Sequence, residues 1–150
     1  MTPVNSVNGE RLLVQIGDGA TPTETFAASC LINTERGIQF TSSTNDAVIP
    51  DCENPENPAF VERIKDHPTA AINGAGMLHT SSVDEWFAWY LSQDTNNVRV
   101  KVDVSAANGG GYWEGAFLLT DFEVTGTRKE KATASITLQS SGAFRWVKAE

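Results

Sequence analysis

Long apolar segments, paired cysteines and positive charge are all scarce in this chain, and each scarcity excludes a class of protein. The apolar runs are only a few residues long, far short of the roughly 20 that a membrane-spanning helix needs. Eleven Lys and Arg stand against nineteen Asp and Glu, a formal charge of -8, which argues against binding to a phosphate backbone. The sequence therefore predicts a soluble globular domain with no membrane span and no affinity for nucleic acid.

The residues that usually bind metals are few and widely separated. Cys30, Cys52, His67 and His79 lack the close pairs that make a structural zinc site recognisable. The opening residues, "MTPVNSVNGER", have neither the basic start nor the apolar segment of a secretory signal, so cytoplasmic synthesis is expected. In a reducing compartment the two cysteines are expected to be free thiols, with Cys30 in the core. We expect no metal and no cofactor.

Alternation of apolar and polar residues dominates the chain from Leu12 onward, which predicts strands with one buried face. Two glycines in "TAAINGAGML", residues 69–78, indicate a bulge or a close backbone approach within one strand. In "YWEGAFLLTDFEVTG" the apolar phase changes, which predicts a bulge near Thr120. The clearest alternation is in "VRVKVDV" and "KATASITLQ". We expect a mainly β domain of about eight strands.

One helix is expected over residues 81–94, "SSVDEWFAWYLSQD". Ser81 or Ser82 is in position to cap its first turn with Asp84 or Glu85. The helical spacing of five apolar residues predicts a wide face against the sheet, with Trp89 partly outside it. These five residues are Val83, Trp86, Phe87, Tyr90 and Leu91.

Residues 43–59 are acidic, rich in Asn and contain three prolines, so the sequence predicts a long loop. A loop of this length is either functional and ordered by a partner or a flexible surface excursion. Near the other end of the chain, Ser140, Ser141 and Gly142 are expected to form the turn that ends the last long strand. Phe144, Arg145 and Trp146 then pack on their own subunit or bridge to the next one, and the bridge is favoured.

Catalytic motifs are not recognisable in this sequence. No serine has the Gly-x-Ser-x-Gly setting of a nucleophile, and neighbouring Asp84 and Glu85 would point about 100 degrees apart on a helix. Glu114, Asp121 and Glu123 lie on predicted strands, where carboxylates on the face away from the core meet water, a partner or a lumen. The residues alone leave these three readings open.

Several segments in order resemble the tail tube, or major tail, proteins of bacteriophages with long non-contractile tails. These segments are "LLVQIGDG", "DCENPENPAFVER", "AINGAGML" and the single helix, followed by "GGYWEGAFLLTDFEVTG" and "KATASITLQSSGAFRW". The last two are the most specific, because a Gly-containing long strand precedes a Thr/Ser-alternating strand that closes on Leu-Gln-Ser-Ser-Gly-Ala. The resemblance covers nearly the whole chain.

The resemblance implies a single tail tube domain over residues 1–150, a β-sandwich or barrel with one flanking helix, an N-terminal arm over about 1–10 and the long loop. It implies a structural, non-enzymatic subunit of the virion tail, assembled in the host cytoplasm. Six copies would close a ring, and stacked rings would form a hollow, negatively charged conduit through which DNA passes without specific binding. Further expected partners are the tail terminator, the distal tail proteins and the tape measure protein.

On this reading, Glu114, Asp121 and Glu123 are candidates for the lumen. Candidates for contacts between subunits or rings are Asp51, Glu53, Glu56, Phe144, Arg145 and Trp146. Two alternatives remain at this point. One is a type VI secretion-like tube protein, and the other is a monomeric β-sandwich that binds a ligand on Trp89, Tyr112 and Trp113. A hydrolase with a dispersed site is a third class to which no residue points.

Overall fold

Seven antiparallel strands form one sheet in the computed structural model, which describes residues 2–21 and 23–150. Their order across the sheet is β2-β1-β5-β6-β7-β4-β3. The strands are β1 (Leu12–Gly17), β2 (Phe26–Ala28), β3 (Glu35–Ile49), β4 (Phe60–Met77), β5 (Asn96–Val102), β6 (Gly111–Thr125) and β7 (Thr133–Lys148).

The sheet curls, so that β1 contacts β3 although four strands separate them in the sheet order. Strand residues of alternating polarity place their apolar side chains on the concave side. The core there includes Val14, Ile72, Val98 and Leu138, each at most 2% exposed. The expected mainly β fold with a flanking helix is confirmed, with seven strands and one curled sheet. Among the described residues, no helix is long and apolar enough to cross a membrane.

The glycines of β4 allow a close backbone approach, as the sequence predicts. A Cβ at Gly74 would lie 2.7 Å from Ile32 Cγ2, and one at Gly76 would lie 2.8 Å from the backbone nitrogen of Asn33. Asn33 also accepts a hydrogen bond from the Met77 backbone N–H at 2.9 Å. The segment before β3 is therefore held flat against β4.

The helix, α1 (Val83–Leu91), is shorter than expected and presents a different face to the core. A 3-10 turn at Thr80–Ser82 precedes it, and no side chain caps its first turn, so the capping box is wrong. Trp86 and Trp89 are its buried residues, whereas Phe87, Tyr90 and Leu91 are 51%, 45% and 66% exposed. The helix packs mainly against one strand, β6, so its buried side is narrower than the wide apolar face that the sequence predicts.

The long loop expected over residues 43–59 is mostly a β-hairpin. Strand β3 continues through Ile49 and pairs with the first part of β4, from Asp66 opposite Ser43 to Phe60 opposite Ile49. Only residues 50–59 form the connection. The prediction of a loop was wrong for most of these residues. Asn and Asp are disfavoured in strands mainly where side chains must pack on a core, and in an exposed two-stranded ribbon the side chains pack only against those of the one paired strand. We call residues 43–66 the ribbon and residues 50–59 its tip.

The last strand does not end at Ser140, Ser141 and Gly142. Strand β7 runs on to Lys148, and its pairing with β6 shifts between Gly115 and Phe117, opposite this segment. Gly142 has a φ of +104°, a conformation that glycine adopts without steric cost, so the segment bulges and the strand resumes. A second register shift falls between Leu119 and Asp121, which confirms the bulge near Thr120.

Two smaller expectations concern the chain before β3. Cys30 is exposed and not a core residue, because it lies in the connection after β2 and not on a paired strand. Cys30 and Cys52 are both free thiols. Residues 2–8 have no regular structure and are exposed, and a 3-10 turn at Gly9–Arg11 leads into β1.

Candidate functional site: the convex face of the sheet and the ribbon

The convex face of the sheet carries the residues that alternate with the core. Such residues form one row along each of four neighbouring strands, namely β3, β4, β7 and the second half of β6, and the register sets the four rows side by side. Asn73 lies opposite both Gly37 and Thr137, and Thr137 lies opposite Asp121. Directly paired residues of antiparallel strands point to the same side of a sheet, so these rows form one continuous surface.

This surface contains three carboxylates, Glu35, Asp121 and Glu123, and we call it the acidic face. The side chains between them are mostly small and neutral. They are Gly37, Gln39, Thr41, Thr69, Ala71, Asn73, Ala75, Thr133, Ser135, Thr137, Gln139 and Thr125, and the larger Met77 lies opposite Thr133 at one end. Within the described part of the chain, no Lys or Arg stands in these rows.

The charges of the acidic face are not neutralised within the subunit. In residues 2–21 and 23–150, no ion pair involves Glu35, Asp121 or Glu123. Glu123 accepts a hydrogen bond from the Thr125 hydroxyl at 3.2 Å, which leaves its charge in place. All three residues are exposed, so the face presents negative charge to its surroundings.

Glu114, the third sequence-predicted lumen residue, lies on another part of the convex face. Its Oε2 atom is 3.3 Å from Arg145 Nη2 and 3.6 Å from Arg99 Nε, and its side chain is 19% exposed. The Arg99 guanidinium also lies over the Phe26 ring at 3.8 Å and the Tyr112 ring at 4.5 Å. We call these five residues the arginine cluster. Glu114 is thus paired by two cations, which the separation of the three residues in sequence does not reveal.

The tip of the ribbon is ordered by Asp51. Its Oδ1 atom accepts hydrogen bonds from the backbone N–H groups of Asn54 at 3.2 Å and Glu53 at 3.0 Å. The Asn57 side chain donates to its Oδ2 atom at 3.3 Å. These bonds, from Asn54 first, hold the pKa of the Asp51 carboxyl below its ordinary value. Asp51 therefore shapes the tip, while Glu53 and Glu56 project from it exposed.

Apolar side chains flank the tip without cover from the subunit. Phe60 is 82% exposed, and Val48, Ile49, Val61 and Ile64 are each at least 50% exposed. Such a concentration of exposed apolar residues on a two-stranded ribbon is typical of an interaction surface.

An aromatic groove lies where the ribbon leaves the sheet. Phe40 packs against Trp113 and Phe144 with ring centroids 5.5 and 5.4 Å apart, and Trp113 packs against Trp146 at 4.6 Å. The hollow encloses about 330 Å³ and is also lined by Ser42, Lys65, Pro68, Thr69 and Arg145. Phe144 and Trp146 are thus parts of β7 that pack on their own subunit, while Trp146 remains 38% exposed.

The ligand-binding alternative required Trp89, Tyr112 and Trp113 to form one platform, and they do not. Trp89 is buried on the inner side of α1, and Trp113 lies in the aromatic groove. Tyr112 contacts Arg99 on the opposite face of β6. The described residues contain no group of three or more His, Cys, Asp or Glu that could hold a metal ion.

A sequence model of the family described as phage tail tube protein matches residues 6–145. The chain belongs to this family. The resemblance drawn from the sequence segments is therefore confirmed, and this tail tube protein is a structural subunit of a phage tail. A comparison with curated proteins finds no match.

Solved tail structures have the same fold as this tail tube protein. A chain from the tail of an empty gene transfer agent particle, refined with C6 symmetry, superposes with a TM-score of 0.74 at 18% identity, over 95% of this chain and 99% of that one. A chain from the native gene transfer agent virion gives 0.73 at 19%, with the same coverage. The SPP1 tail tube gives 0.56 at 13%, over 99% of this chain and 80% of that one.

Two features of this tail tube protein were missed from the sequence. Glu35 joins the acidic face because the pairing of β3, β4 and β7 brings its row alongside Glu123. Lys65 joins the aromatic groove because the ribbon leaves the sheet beside the end of β7. Glu35 is far in sequence from Glu123, and Lys65 is far in sequence from the four aromatic residues of the groove. The period-two pattern gives no information on which strands pair.

Proposed function

We propose that six copies of this chain close a ring and that the rings stack into the hollow tube of a phage tail. The observation that carries this proposal is the fold shared over almost the full length with a tail refined with C6 symmetry. The subunit's own sheet supports it, because β2 and β3 are edge strands with unpaired backbone groups. Pairing between neighbouring subunits around a ring removes such edges.

The acidic face lines the lumen of the proposed tube. It combines three unpaired carboxylates with small neutral side chains and carries no Lys or Arg within the described strands. Repulsion acts over a Debye length of about 8 Å at physiological salt, which keeps phosphates off the wall and leaves the channel open. DNA therefore slides past this surface without binding specifically to it.

The ribbon carries the contact between rings in the proposed tube. Its end carries exposed apolar side chains on both sides of the tip, and a contact repeated along the axis produces an open-ended polymer. Glu53 and Glu56 lie at this contact, while Asp51 supports the shape of the tip. The tube is assembled in the host cytoplasm and ends against the tail terminator and the distal tail proteins, with the tape measure protein inside it.

Negative-stain images of the purified protein test the proposal. We expect rings with sixfold symmetry or stacked tubes at high protein concentration. A particle that stays monomeric under these conditions would contradict it. Limited proteolysis adds a second measurement, since residues 50–59 should be cut in the monomer and protected in tubes.

A further inference from the structure

We propose that the ribbon tip of one subunit docks into the aromatic groove of a second copy. This inference rests on the proposed stacking of rings and names the surface that receives the tip. It joins two surfaces that are incompletely covered in the subunit. Phe60, Ile49 and Val61 are exposed directly beside the tip, and the groove presents the exposed edges of Phe40 and Trp146.

Charge complementarity identifies the occupant as another copy of this chain. Residues 47–61 contain Asp51, Glu53 and Glu56 and no Lys or Arg. Within the described residues, the lining of the groove contains Lys65 and Arg145 and no acidic residue. Arg145 pairs with Glu114, whereas Lys65 forms no ion pair in the described part of the chain. The unpaired charge of Lys65 therefore complements the acidic residues of the tip, and complementary charges favour the mutual orientation of two surfaces.

The shapes of the two surfaces also agree with this pairing. Phe60 is 82% exposed in the subunit, and the groove is a hollow of about 330 Å³ lined by four aromatic rings. A single aromatic residue that enters a pocket with polar groups at its rim is a common anchor of protein interfaces. We assign Phe60 as this anchor.

Geometry excludes the groove of the same subunit as the receiving site. The ribbon extends seven strand residues from Ser42 to Ile49, about 23 Å at 3.3 Å per residue. The tip and the groove thus lie at opposite ends of one ribbon. A tip that docks at the base of the next ribbon forms a head-to-tail contact, which repeats without closing and so extends a tube along its axis.

Disulfide trapping tests the contact, because Cys52 already lies in the tip. The test protein carries Cys30→Ser together with Ser42→Cys, which places a thiol in the groove. The matched control carries Cys30→Ser with Ser81→Cys, at an exposed serine before the helix. The two residues 42 and 52 are too far apart for a bond within one chain, which needs Cα atoms within about 7 Å. Assembled tubes are oxidised and separated on non-reducing gels.

We expect a ladder of covalent oligomers longer than dimers from the Ser42→Cys protein and none from the control. Pro68→Cys, in the lining of the same groove, serves as a second probe should Ser42→Cys fail to fold. Tubes that give no ladder with either probe, or a ladder equal to the control, would overturn the docking site while leaving the tube function intact. Dimers formed by the Cys30→Ser protein through Cys52 alone would show tips meeting tips and would also overturn it. A parent protein that forms no tubes would contradict the proposed function and the contact together.

Discussion

The acidic face and the arginine cluster share the convex side of one sheet, yet their carboxylates are in opposite electrostatic situations. Asp121 and Glu123 are exposed, and neither forms an ion pair within the described residues. Glu114, seven residues before Asp121 on the same strand, is 19% exposed and lies between two arginines. Two bulges in β6, after Gly115 and after Leu119, separate the two regions.

This difference shows that a carboxylate on a strand contributes to the field of a surface only if its neighbours across the sheet leave it unpaired. At Glu114 the neighbours are Arg99 on β5 and Arg145 on β7, so its negative charge is neutralised within the subunit. At Asp121 and Glu123 the β7 neighbours are Thr137 and Ser135, which carry no charge. The field of the acidic face therefore acts on whatever passes in front of it.

The largest expected effect comes from reversing the acidic face. Glu35→Lys, Asp121→Lys and Glu123→Lys together should leave tubes intact and abolish or strongly slow DNA ejection, because cations on the lumen wall bind phosphates. Complementation of a phage that lacks this gene measures infectivity. The control variant, Asp84→Lys with Glu85→Lys and Asp94→Lys, changes the net charge equally at exposed positions around the helix. Normal infectivity of the first variant would show that the acidic face does not line the lumen.

A second change compares stability in the two regions. Glu114→Gln should lower the free energy of unfolding of the monomer by about 1–2 kcal/mol, since it removes the charge that pairs Arg99 and Arg145 in a partly covered site. Asp121→Asn and Glu123→Gln should each change it by no more than about 0.5 kcal/mol. Urea denaturation with an unchanged m-value provides the measurement. Equal losses of unfolding free energy at all three positions would show that Glu114 is no more strongly paired than Asp121 and Glu123.

The arginine cluster can be examined further without altering its charge. Arg99→Lys should destabilise the monomer by about 1 kcal/mol, because the ammonium loses the planar contact with Phe26 and Tyr112. The matched substitution Arg63→Lys affects an exposed pair with Asp46 on the ribbon and should cost less than about 0.5 kcal/mol. Thermal unfolding compares the two. A larger loss of stability from Arg63→Lys than from Arg99→Lys would show that the aromatic rings of Phe26 and Tyr112 do not stabilise Arg99.

The smallest expected effect is local and concerns a carboxylate that is satisfied by its own backbone. The pKa of Asp51 is lowered in the folded state, chiefly by the Asn54 N–H, so its contribution is present above its ordinary pKa and is lost as the pH falls below about 4. Amide exchange at Glu53 and Asn54 should accelerate in that range. Asp51→Ala should accelerate it already at neutral pH, and Glu53→Gln should not. Equal exchange in the parent and Asp51→Ala proteins would exclude the capping role.

Local patterns predicted more of the fold than of the sites. The burial of Val98, Val100, Ile136 and Leu138 follows from alternation, and the bulge near Thr120 follows from a change in its phase. The hairpin of the ribbon was missed because its exposed strands lack a buried face, which is the signal that alternation reports. The buried side of the helix was also wrong, since Trp89 is covered while Phe87 and Leu91 are exposed.

The sequence by itself determined the strand-rich architecture, the close approach of the backbone at the glycines of β4, the excess of negative charge and the family. These properties depend on composition and on residues close together in the chain, where the physical constraints are local. Only the tertiary structure decided that Glu114 is paired, that Glu35 joins Asp121 and Glu123, and that Lys65 and Trp146 line one groove. The reason is that strand order and register bring distant residues together, and the period-two alternation is the same whichever strands pair.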